Sequence, residues 1–104
     1  MRRFEEAVDA GTQAAAIFRE LGDRHGEAQS LNNLGLALRE VRRFEEAIGA
    51  HTGAAAMFRE FGDRHREGQA WGNLGLALRE VRRFEEAVDA GTQAAAIFRE
   101  LGDR

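Results

Sequence analysis

Apolar residues recur three or four positions apart along most of this chain. From Arg24 to Val41 they are Ala28, Leu31, Leu34, Leu38 and Val41, the spacing that sets side chains on one face of an α-helix. From Arg43 to Phe61 a second stripe runs through Phe44, Ala47, Ile48, Ala54, Ala55, Phe58 and Phe61. Alternation at period two never persists, so strands are not expected. The pattern predicts an all-α fold. Breaks fall at Gly22-Asp23, Gly62-Asp63 and Gly102-Asp103. There Gly suits the residue just past one helix and Asp suits the N-cap of the next. A second kind of break, a tight turn, falls at Val41–Phe44 and again at Val81–Phe84. Glu45 and Glu46 then lie in a first helical turn, where the helix dipole favours acids.

The pattern is written more than twice. Residues 2–24 and 82–104 are the same string, RRFEEAVDAGTQAAAIFRELGDR, and Arg42 to Arg64 carry a close variant. Arg2, Arg42 and Arg82 align at a period of 40, as do Phe4, Phe44 and Phe84. A unit that cannot bury its apolar face alone must stack on its neighbours, so the period predicts a solenoid. With Arg24–Val41 as helix type A and Arg43–Phe61 as type B, the five helices read B-A-B-A-B. The expected organisation is one solenoid fragment over 1–104: a partial repeat at 1–23 and full A-B repeats at 24–63 and 64–104. The chain stops at Arg104 before a further A helix, as expected of a piece cut from a longer array. Gly35 and Gly75 sit mid-helix in type A, where Gly costs about 1 kcal/mol relative to Ala. Their repetition predicts close backbone contact there.

Composition narrows the function. The 104 residues carry 15 basic and 18 acidic side chains for a net charge of -3. Interspersed charge of both signs gives no large single-sign field, which argues against nucleic acid or a membrane surface as partner. There is no cysteine, which removes disulfides, thiolate catalysis and Cys-based metal sites and fits a cytoplasmic protein. Every basic residue is Arg, and the Ala- and Gly-rich bias is that of a GC-rich, bacterial gene. His25, His51 and His65 share no ligand spacing, so no metal is expected. Ser30 is the sole serine, and the adjacent pairs Glu5-Glu6, Glu45-Glu46 and Glu85-Glu86 point in different directions. No catalytic residue, enzyme activity or cofactor is expected.

Trp71-Gly-Asn-Leu74-Gly75-Leu-Ala-Leu78, followed by Ala87, resembles the tetratricopeptide repeat signature, Trp-x-x-Leu-Gly-x-x-Tyr then Ala. Leu31, Leu34, Gly35, Leu38 and Ala47 repeat it. The 40-residue period resembles the long-helix subtype of kinesin light chains and of the polarity adaptors that bind heterotrimeric G-protein subunits. Leu38 and Leu78 replace the usual Tyr, His51 and Gly91 the usual Phe, and Arg59 and Arg99 the usual Pro. Arg42 and Arg82 stand at a turn position usually held by Gly; a positive φ there would strain them by about 1–2 kcal/mol.

The resemblance implies a TPR-type antiparallel helix-hairpin solenoid whose A helices line a concave groove for a partner peptide. Its groove positions would be Gln29, Asn32, Asn33, Leu36, Arg39 and Glu40, then Gln69, Gly72, Asn73, Leu76, Arg79 and Glu80. In the long-helix relatives an Asn at the place of Asn33 and Asn73 contacts peptide backbone; the plainer role is a bond to a neighbouring helix. Arg39 and Arg79 suit a carboxylate, against the plainer expectation that they pair with Glu40 and Glu80 across repeats. Self-association is the alternative function. Both terminal helices are of type B, and apolar surface is expected to lie open around Phe4, Ala7 and Ala14 at one end and Ala94, Ile97 and Phe98 at the other. Because 2–24 and 82–104 are identical, one copy's last helix is a candidate to replace another's first, giving a homo-oligomer, dimer or longer, by helix swapping.

Overall fold

The structure, a computed structural model, describes residues 2–102. It holds α1 (Arg2–Leu21), α2 (Arg24–Glu40), α3 (Phe44–Phe61), α4 (Arg64–Glu80) and α5 (Phe84–Glu100). Each helix packs on the next in sequence, and α2 also touches α4. The result is a zigzag with α2 and α4 side by side in one row and α1, α3 and α5 in the other.

Four sharp turns make the zigzag. After α1, the Gly22 amide donates to the Arg19 carbonyl and the Asp23 amide to that of Phe18. These paired bonds are a Schellman motif, which needs a left-handed residue just past the helix. Gly22 and Gly62 supply it, each with φ 74. Asp23 and Asp63 then cap the next helices by accepting from the Gly26 and Arg66 amides at 2.9 and 3.1 Å. Gly102 has φ 82; the expected partner Asp103 lies outside the described residues. The turns after α2 and α4 use the same bonds, Arg42 to Arg39 and Arg43 to Leu38 in the first. There the left-handed residues are Arg42 and Arg82, both at φ 65. Each guanidinium sits over the ring two residues on, 5.5 Å from Phe44 and 5.7 Å from Phe84.

The core is built largely of alanine. Ala37, Leu38, Ala47, Ala50 and Ala77 join Val8 in one cluster. Ala28, Ala54, Ala55 and Ala70 surround Phe58 in a second, and Leu74, Leu78 and Ala90 form a third. Small side chains let the helices approach closely. Of the stripe expected on the second helix type, Phe61 departs: it is exposed, with its ring edge-on to His25. Two carboxylates are also buried. Glu27 receives the Arg19 Nε–H at 2.9 Å, and Glu67 receives Arg64 at 2.7 Å and the Trp71 indole N–H at 3.1 Å. Arg24 to Glu60 and Arg64 to Glu100 repeat one tie from the start of an A helix to the end of the following B helix.

Gly35 and Gly75 occupy the same repeat position but have different neighbours. A Cβ at Gly35 would lie 2.5 Å from the His51 ring, whereas at Gly75 nothing comes nearer than the Ala87 carbonyl at 3.4 Å. Gly35→Ala is expected to destabilise by about 1–3 kcal/mol through overpacking. Gly75→Ala should be neutral or gain up to about 1 kcal/mol from helix propensity. Urea denaturation of the two variants measures this; equal effects would contradict the packing described.

Candidate peptide-binding groove

Residues Gln29, Asn32, Asn33, Gln69 and Arg66 come together across α2 and α4 around a cavity of about 220 Å³, with Phe58 of α3 beside them. Helical spacing explains the cluster. Gln29 and Asn33 are four apart, and Arg66, Gln69 and Asn73 follow at three and four, so each set shares a face. With its amide oxygen turned toward Arg66, Gln29 accepts from that guanidinium at 3.0 and 3.3 Å. This contact fixes the amide orientation.

Asn32 is spent on the interior. Its Oδ1 accepts from His51 Nδ1–H at 2.7 Å and from the Asn73 amide at 3.4 Å. The bond assigns the proton of the neutral imidazole to Nδ1, leaving a buried Nε2 with no partner. His51 is 0 % exposed. Burial, and then the charge of Arg39, pushes its pKa down from 6.5 to about 4. The ring fills the notch over Gly35. Of the two asparagines singled out in the sequence, Asn73 thus makes the plainer inter-helix bond, while Asn33 is exposed beside the cavity.

Leu36 and Leu76 are exposed further along the same helices. Arg39 is half-buried and Arg79 exposed. Among the described residues, pairing between repeats does not run through Arg39 or Arg79, nor through Glu40 or Glu80. It runs through Arg19–Glu27, Arg43–Glu5 and Arg83–Glu45, while Arg24–Glu60 and Arg64–Glu100 tie the two helices of one repeat together. Arg79, Leu76 and Gly72 instead border a separate, apolar hollow with Phe84 and Val88.

Sequence reasoning missed Arg66, Phe58 and His51. For Arg66 the signal was present: Gly26 and Arg66 differ between the repeats, and Arg66 lies three residues before Gln69. Phe58 read as core, which it also is. His51 read as isolated, since nothing local shows that Gly35 leaves room for its ring.

At the chain ends, one expectation needs correction. Ala7 is exposed and Phe4, Ala14 and Phe98 are half-buried, but Ala94 and Ile97 are buried. They are on the face that α5 turns to α4. The open face of α5 lies instead along Phe84, Val88, Gly91 and Ala95.

Repeated antiparallel helix hairpins define an all-α helical-repeat solenoid. The chain belongs to the tetratricopeptide repeat family, whose model matches residues 1–60 and again 28–100. A comparison with curated proteins finds no match. Repeats of this family generally mediate protein–protein interaction and are typically non-catalytic. No helix is long and apolar enough to cross a membrane, among the described residues.

Proposed function

We propose that the protein is an interaction scaffold that holds an extended partner peptide along α2 and α4. The observation that carries this reading is the convergence of Gln29, Asn33, Gln69 and Arg66 on one open polar cavity. Carboxamides both donate and accept, so they match the alternating N–H and C=O groups of a peptide backbone whatever its side chains. Arg66, with Arg39 and Arg79 further along, favours partners carrying carboxylates, which a guanidinium holds in bidentate fashion. Exposed Leu36 and Leu76 add apolar contact. Asn32 and Asn73 serve by fixing the spacing of α2 and α4 rather than by touching the ligand.

A peptide-display selection on the whole chain tests this. Peptides that enrich should lose about tenfold or more in affinity against Asn33→Ala combined with Gln69→Ala, two hydrogen bonds at about 1 kcal/mol each. Both side chains are at the surface, so the melting temperature should hold. Selected peptides that bind the double variant as tightly as the parent chain would place the binding surface elsewhere.

A further inference from the structure

The face of α5 left open in this structure is not a generic apolar surface. It runs through Phe84, Val88, Gly91 and Ala95, with Phe84 51 % and Val88 66 % exposed. One repeat period earlier in the chain these positions are Phe44, Ile48, His51 and Ala55 on α3; Ile48 and Ala55 lie toward α4, while the His51 ring turns back onto α2. Two periods earlier they are Phe4, Val8, Gly11 and Ala15 on α1, facing α2. There Val8 is 4 % exposed and Ala15 is buried. Gly11 lets α2 come close, since a Cβ on it would stand 3.2 Å from the Leu34 Cβ.

The α5 face therefore matches α1 and not α3. Gly91 corresponds to Gly11, whereas α3 carries His51, whose ring fills the notch over Gly35. The identity also covers the polar contacts. Arg19 of α1 reaches the buried Glu27, and Glu5 lies 3.9 Å from Arg43; Arg99 and Glu85 are their counterparts on α5. So the open face of α5 duplicates a surface whose docking partner, α2, is visible in the same molecule.

We propose that α5 of one copy docks on α2 of a second copy, displacing that copy's α1 and continuing the solenoid across two molecules. α5 keeps its own contacts with α4 through Ala90, Ala94 and Ile97, because these lie on its other face. α3 shows one helix of this kind packed on both sides at once, on α2 and on α4. Apolar burial is largely conserved in the exchange: except at Phe98, what α1 uncovers, α5 covers with the same residues. The released α1 regains the conformational freedom that folding took from it, and this offsets the cost of association. α1 rather than α5 is the helix that leaves. Within its own chain α1 buries only Val8 and Ala15, while α5 buries Ala90, Ala94 and Ile97 and is held by two Arg64–Glu100 bonds at 2.9 and 2.8 Å. One ring must turn: Phe98 now lies against Gly68, whereas its counterpart Phe18 lies against Gly26.

Light scattering of the 104-residue chain over an approximately hundredfold dilution series, paired with hydrogen exchange, tests the exchange. Mass should rise from 11.5 kDa with concentration. Amides of residues 2–21 should lose protection as it rises. Val88→Arg, on an exposed position, should stay monomeric with an unchanged melting temperature. Ile17→Arg, on the exposed side of α1, should associate like the parent. A parent chain that remains monomeric throughout, or a Val88→Arg chain that associates normally, overturns the proposal. So does association that leaves α1 protected, which would be end-on stacking, or that Ile17→Arg abolishes.

Discussion

Phe58→Ala is expected to remove about 4 kcal/mol of stability, the usual cost of deleting a buried aromatic ring. Phe58 is 1 % exposed and lies between the α2 and α4 alanines, Ala28 and Ala70, with Ala54 and Ala55 from its own helix. Alanines cannot reorient to fill the space, so the cavity would persist. A domain of this size has about 5–15 kcal/mol in total, so the loss is a large share of it. At about 4 °C or more per kcal/mol, the melting temperature should fall by at least about 16 °C. The same substitution at Phe18 or Phe98, half-buried at equivalent positions, should cost roughly half as much. Thermal or urea unfolding of the three variants measures the contrast. A Phe58→Ala chain within about 1 kcal/mol of Phe18→Ala would contradict the sandwiched position of this ring.

The second large effect is acid lability centred on His51. The sign follows from the two states. In the folded chain the imidazole is pushed down to about 4, whereas in the unfolded chain it titrates near 6.5. Between those values the unfolded state binds a proton that the folded state refuses. Stability is therefore full above about pH 6.5 and falls as the pH drops toward 4. At about 1.4 kcal/mol per unit the loss approaches about 3 kcal/mol. Arg39 contributes to the shift, and the Asn32 amide facing the ring, itself bonded to Asn73, offers no negative charge to a protonated imidazole. Carboxylates held low by arginine partners, Glu46 by Arg43, Glu86 by Arg83 and Glu100 by Arg64, add their own acid sensitivity at lower pH. His51→Gly, which restores the residue found at the matching positions 11 and 91, isolates the effect. The stability difference between parent and variant should shift by about 3 kcal/mol between pH 7 and pH 4. A difference that stays constant with pH would mean that the ring is not held in a closed neutral site.

Much of the fold was legible because its causes are local. The three-and-four spacing of Leu31, Leu34 and Leu38, Gly followed by Asp at each break, and the 40-residue period each act within a helix or a turn. Four of the groove residues named from the sequence, Gln29, Asn32, Asn33 and Gln69, do line one cavity. Helical spacing alone puts each group on one face, and the repeat sets the two faces side by side. What escaped was every feature that depends on which side of a helix meets which neighbour. Ala94 and Ile97 were expected to lie open, yet they are buried. Type B helices carry two apolar faces, and their composition does not say which one is covered at an end.

By itself, then, the sequence determined the helices, their order, the Schellman turns and the stacking of like units, since capping, propensity and periodicity act over a few residues or simply repeat. Only the tertiary structure decided that His51 fills the notch over Gly35 while Gly75 faces backbone. It alone tied Asn73 to Asn32 while leaving Asn33 exposed, and selected the Val88 face of α5 as the open one. Those outcomes depend on distances between side chains on different helices, where a single changed side chain alters how closely two near-identical frameworks can approach.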